Sequence, residues 1–163
     1  MVKLIGMIVI LSGLVFTGAC GGNPESQMAA NTESRPENTT NFKAELSINL
    51  ESYQNQLPES DLPALDVLKN NLAALIEHDH KLYNSGFVNE DLADAMKFYY
   101  SDQFQYKFTD IESMKYDLPN EHEVHITVIG QRLDTTAGTV EDVKMFYAIQ
   151  PNKQGEWFIH MID

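Results

Sequence analysis

The hydrophobic pattern changes period once along this chain, and that change sets the fold class. Leu65, Leu68, Leu72, Leu75, Ile76 and Leu82 recur at spacings of three, four and seven, which is one face of an amphipathic helix. Ser60 or Asp61 suits its N-cap, Pro63 its first turn, and Asn84-Ser85-Gly86 its end. A second helix is expected after Asn89, with Glu90 and Asp91 at its positive pole. Its inner side carries Leu92, Ala95, Met96, Tyr99 and Tyr100. Past Ser101-Asp102 the period becomes two: Phe104, Tyr106 and Phe108 alternate with Gln105 and Lys107.

Three more alternating runs follow, each bounded by turn residues. A phase slip near Asp110-Ile111 predicts a bulge, and Gly130 predicts another, with the phase moving to Ile129 and Leu133. Turns are expected at Leu118-Pro119-Asn120-Glu121, Thr135–Gly138 and Pro151–Gly155. Val124, Ile126 and Val128 share one face, as do Val143, Met145, Tyr147 and Ile149, and then Trp157, Ile159 and Met161. Short turns make consecutive strands antiparallel neighbours. The expected fold is therefore α+β: two helices packed on a bent, antiparallel, four-stranded sheet over residues 61–163.

The N-terminus has a different character. MVKLIGMIVILSGLVFTGAC has one charge, Lys3, then an uncharged stretch from Leu4 to Phe16, then small residues. Such a stretch is shorter than the roughly 20 apolar residues a membrane span needs, and it reads as a secretory signal over residues 1–19. Residues 21–41 hold no Ile, Leu, Val or aromatic side chain, so they cannot offset the entropy of ordering and are expected to form a tether with a reach of about 25 Å. Residues 42–60 form a lead-in. Phe42, Ala44, Leu46, Ile48 and Leu50 alternate with polar residues as in a strand, whereas Leu46, Leu50, Tyr53 and Leu57 fit a helical stripe.

Thr17-Gly18-Ala19-Cys20 resembles the lipobox of bacterial lipoproteins. The resemblance implies cleavage before Cys20 and a lipid on its sulfur, which places the protein on the extracytoplasmic face of a membrane, the outer one if the bacterium has two. Cys20 is also the chain's single cysteine, which leaves no intramolecular disulfide, cysteine nucleophile or multi-cysteine zinc site. The formal net charge of −13 argues against a nucleic-acid partner and against electrostatic docking on anionic lipid.

The helix-then-meander order, the long bent run FQYKFTDIESMKYDL and the closing GEWFIHMID resemble the NTF2-like (cystatin-like) superfamily over about residues 61–163. That resemblance implies a cone, in which a bent sheet wraps a helix and leaves a pocket at its wide end. Some members of the family are isomerase- or dehydratase-like enzymes and others only bind, so function must come from the site.

Candidate residues divide into three groups. Glu77-His78-Asp79-His80 is rich in metal-ligating types, but histidines two apart on a helix point about 200° apart and suit a solvated helix end better than a metal. In Glu121-His122-Glu123-Val124-His125, Glu123 and His125 share a strand face on which they could bind one ion or form an acid–base pair, with His160 adjacent across the sheet; they are too few ligands for a tight metal site, and a polar sheet face is the favoured reading. A cone interior would draw on Tyr99, Tyr106, Tyr116 and Tyr147, with His125 and His160 on the strands. An isomerase or hydratase would pair such a tyrosine with a carboxylate from Asp94, Asp102 or Asp110, its pKa raised by burial. No phosphate loop, G-x-S-x-G or H-E-x-x-H occurs, so neither a metal nor a cofactor is expected. The leading expectation is a lipid-anchored domain that binds a small ligand or an envelope protein, with a homodimer through the sheet as a further option. The enzyme is the rival.

Overall fold

The computed structural model describes residues 41–116 and 122–163. The signal, Cys20, the tether to residue 40 and the turn at 118–121 lie outside the described residues. No described helix is long and apolar enough to cross a membrane.

Helix α1 runs Pro63–Glu77, α2 His80–Ser85 and α3 Glu90–Ala95. Strands β1 (Glu45–Leu46), β2 (Phe104–Lys115), β3 (Val124–Asp134), β4 (Thr139–Pro151) and β5 (Trp157–Ile162) form one sheet in sequence order. The α+β class is observed, but the sheet is five-stranded and mixed rather than four-stranded and antiparallel. The added strand comes from the lead-in: Glu45 and Leu46 pair in parallel with Lys107 and Phe108. The alternation from Phe42 to Glu51 forms only this short strand. Beyond it, a 3₁₀ segment at Leu50–Gln56, rich in Asn and Gln, turns the chain so that Ile48 and Leu57 drop into the core. The Tyr53 hydroxyl donates to Asp110 at the bulge of β2, fixing this segment to the sheet.

The expected long first helix is two helices. His78 takes a left-handed conformation (φ 54°) and ends α1, and the Asp79 carboxylate, accepting from Leu82 N–H at 2.9 Å, caps the start of α2. Asp61 does not cap α1. It is buried, accepting from the Ser60 hydroxyl at 2.7 Å and lying 2.8 Å from His122 Nε2. Asn89 does cap α3, accepting from Leu92 N–H at 2.8 Å.

The apolar stripe of α1 (Ala64, Leu65, Leu68, Leu72, Leu75) packs on the inner sheet face, where Tyr106, Phe108, Val124, Ile126, Val128, Tyr147, Ile149 and Ile159 are buried. Each fully buried Leu or Ile contributes roughly 1.5–3 kcal/mol of transfer free energy. The bulge at Asp110 is present: Phe108 pairs with Gly130, and Asp110, not Thr109, pairs with Ile129. Gly130 itself is not bulged, because its pairing with Val143 on β4 is continuous. On β5 the pairing passes from Ile159–Ile149 to Met161–Ala148, so His160 is the extra residue. That slip buries Ile162 and leaves Met161 exposed, reversing the expected faces at the strand's end.

Candidate functional site

At one end of the inner face the sheet extends past the helices. The inner positions there are Phe104 and Tyr106 on β2, Arg132 on β3, and Glu141, Val143 and Met145 on β4. The turn after α3 carries Phe98 and Tyr99 over them. Together with Asp142, Lys144 and Asp163 these groups, Phe104 apart, line an open cleft of about 350 Å³. Beside the cleft, Gly130 lies between Phe108 and Val143 in the sheet. A Cβ there would lie 2.2 Å from the Lys107 carbonyl oxygen, so strands β2 and β3 close up only because the residue is glycine.

The polar wall of the cleft is satisfied from within. Arg132 donates from Nε to Glu141 Oε1 at 2.9 Å and from a terminal nitrogen to the same oxygen. Its guanidinium lies 4.1 Å from the centroid of Phe104 and 5.7 Å from that of Phe98. Burial works against the Arg132 charge, but Glu141 and Tyr106 outweigh it and hold the pKa above its ordinary value. The Tyr106 hydroxyl donates to the Tyr99 carbonyl at 2.8 Å, and burial raises the Tyr106 phenol despite the nearby guanidinium. Tyr99 is raised by burial and then by the Asp163 charge. Phe98 is 58 % exposed on the rim.

Beneath the cleft lie two buried tyrosines. Tyr147 is fully buried and donates to Asn71 Oδ1 at 3.2 Å, and Tyr83 donates to the Met96 carbonyl at 2.8 Å. Burial raises both phenols well above their ordinary value, with the neighbouring tyrosines adding to the effect.

The structure brings Tyr99 and Tyr106 together at the cleft and sets Tyr147 in the core behind them. It does not bring the other expected residues there. Tyr116 is exposed at the far end of β2. His125 lies on the outer sheet face, 3.0 Å from Glu123 Oε2 and edge-on to Phe146. His160 occupies the β5 bulge, its Nε2 buried without a hydrogen-bond partner. Strand β4 separates it from β3, so the two histidines are not neighbours across the sheet.

None of the three candidate carboxylates is desolvated. Asp94, Asp102 and Asp110 are exposed, and the Tyr53 hydroxyl holds Asp110 below its usual range. The buried carboxylates are elsewhere: Asp61 against His122, and Glu123 accepting from Gln150 at 2.7 Å. The helix break sets His78 beside Asp102 (3.7 Å) and His80 flat against Tyr100. Among the described residues no group of three or more His, Cys, Asp or Glu is placed to hold a metal.

The cleft residues that the sequence reading missed are Phe98, Arg132, Glu141, Asp142, Lys144 and Asp163. One signal pointed to Arg132: it continues the inner series Val124, Ile126, Val128, Gly130 in strict alternation, and it is one of two arginines in the chain.

No family model matches this chain, and no curated protein matches it. A crystal structure described as that of a "putative ketosteroid isomerase" from Shewanella frigidimarina is similar at 13% identity, covering 64% of this chain and 95% of its own, with a TM-score of 0.46.

Proposed function

We propose that this chain is a lipid-anchored, extracytoplasmic protein whose NTF2-like domain binds a small ligand in the cleft between the Phe98–Tyr99 turn and strands β3 and β4. The lipobox-like Thr17–Cys20 and the polar tether support the anchor. The succession of helices and meander, with a cleft where the sheet outruns α1, supports the NTF2-like reading.

One observation carries binding over catalysis: two polar side chains of the cleft, Tyr106 and Arg132, already have internal partners. Tyr106 donates to a backbone carbonyl and Arg132 to Glu141. A tyrosine with its proton committed is a poor oxyanion donor, and a half-exposed, ion-paired Glu141 is a poor desolvated base. The same walls are well suited to enclosing an apolar body beside fixed charges.

The anchor is tested by expressing the full chain in a bacterial host fed an alkyne-bearing fatty acid. Label on the wild type and none on Cys20→Ser is expected, whereas an unlabelled wild type refutes the anchor. Binding is tested by the thermal midpoint across a small-molecule panel. A saturating ligand at about a hundred times its Kd raises stability by about 2.7 kcal/mol, and Arg132→Ala should abolish the shift. Turnover of an unsaturated ketone that is lost in Tyr106→Phe would overturn binding in favour of the isomerase.

A further inference from the structure

The charges around the cleft do not cancel. Its lining holds the acids Glu141, Asp142 and Asp163 and the bases Arg132 and Lys144. Arg132 and Glu141 neutralise each other at hydrogen-bond distance. Lys144 donates to Glu112 on β2 at 2.6 Å, so its charge is engaged outside the cleft. Asp142 alternates with Glu141 and Val143 and so shares the outer face with Lys144, whereas Asp163 has no basic side-chain partner among the described residues and remains as net negative charge at the cleft.

Facing that charge are aromatic rings. Phe98 stands on the rim and meets Tyr99 and Phe104 edge-on, at 5.7 and 5.5 Å between centroids. More than half of Phe98 is open to solvent, although a large apolar ring gains nothing there unless something covers it. Aromatic faces attract cations through their quadrupole, most strongly where water is excluded. The Arg132 guanidinium over Phe104 shows that this ring set already holds one positive charge. Asp163 adds a fixed negative charge close enough to raise the Tyr99 phenol.

Resting on the ligand-binding reading above, we infer that the cleft takes an organic cation: an ammonium group set between Asp163 and the faces of Phe98 and Tyr99, with an apolar body directed toward Val143 and Met145. A ligand carboxylate would have to displace Glu141 from Arg132 while facing Asp163. A neutral ligand would leave that acid unanswered. A volume of about 350 Å³ accommodates an aryl or alkyl amine of modest size.

The test is calorimetric titration of the full chain in nanodiscs, blanked against empty nanodiscs, with three probes of one shape: phenylbutylammonium, phenylbutanol and phenylbutanoate. The ammonium should bind at least about fivefold tighter than the alcohol, and the carboxylate weakest. Asp163→Asn and Phe98→Ala, both at solvent-facing positions, should each weaken the ammonium about threefold or more while moving the alcohol less. If the alcohol or the carboxylate binds as tightly as the ammonium, the cation inference falls and the ligand-binding reading stands. If none of the three binds, both fall.

Discussion

Replacing Gly130 by alanine tests the close approach of strands β2 and β3, because two effects there have opposite signs. Glycine inside a strand is less stable than alanine by roughly 0.5–1 kcal/mol, owing to its backbone entropy. Were the site open, Gly130→Ala would therefore stabilise the domain. The structure predicts the reverse. An added Cβ meets the Lys107 carbonyl oxygen at 2.2 Å, the Phe108 Cα at 3.0 Å and the Lys107 carbonyl carbon at 3.1 Å. All three are backbone atoms, which no rotamer change can move aside. Relief needs β2 and β3 to part by about an ångström at the bulge. Overpacking of this kind costs about 1–3 kcal/mol, and a strained ladder hydrogen bond adds about 0.5–1.5 kcal/mol.

Once the entropy gain is deducted, the net loss is about 2–3 kcal/mol, or about 10 °C in Tm for a domain of this size. Urea unfolding should show a lower midpoint at an unchanged slope, since the surface exposed on unfolding is the same. Gly86→Ala is the control, because the nearest atoms to its added Cβ lie at 3.4 and 3.5 Å, ordinary contact. A Gly130→Ala protein as stable as the wild type, or more stable, would refute the close approach of the two strands.

Three further outcomes are expected. His78→Gly should stabilise the domain by about 0.5–1 kcal/mol in urea titration, because the left-handed conformation costs a residue with a Cβ roughly 1–2 kcal/mol and glycine's extra unfolded entropy takes back part of that gain; a loss of stability would show that the side chain's contact with Tyr100 outweighs the strain. Tyr147→Phe should cost about 1–3 kcal/mol, because Asn71 Nδ2 already has no partner and Oδ1 would then lose its own; Asn71→Leu in the same background should restore much of it, and an unchanged midpoint in the single variant would disprove the pairing. Burial raises the phenols of Tyr83, Tyr106 and Tyr147 in the folded state, so the unfolded chain releases protons above pH 10 that the folded chain keeps. That contribution is intact below pH 10 and is lost as pH rises beyond it, at up to about 4 kcal/mol per pH unit for three groups; equal urea midpoints at pH 9 and pH 11 would contradict the burial.

How much of this was legible in the sequence depends on how each feature is encoded. The two regimes of period gave the helices, the four long strands and the Asp110 bulge, because alternation and amphipathicity are local signals repeated over many residues. The helix break at His78 was invisible, because the stripe Leu75, Ile76, Leu82 carries on through it and a left-handed residue is usually announced by glycine or asparagine, not histidine. The lead-in strand was half visible: its alternation was read, but pairing depends on β2, sixty residues away. Asp61 looked like a cap and serves instead as the partner of His122, a contact between segments that no local pattern records.

Gly130 explains the largest omission at the site. A glycine in a strand marks either a bulge or a close backbone approach, and the two readings differ by one in the phase of everything that follows. Taken as a bulge, Gly130 turns Leu133 inward and sends Arg132 to solvent. Taken as a close approach, it keeps the alternation and places Arg132 on the inner wall, opposite Glu141. The sequence holds a means of choosing, because a guanidinium beneath aromatic rings needs a partner acid on the paired strand. Arg132 can have one only if Asp134 meets Thr139 across a four-residue turn, which sets the register that the strands adopt. Charge pairing across a hairpin thus carries register information where apolar alternation is interrupted, and here it also locates the cleft.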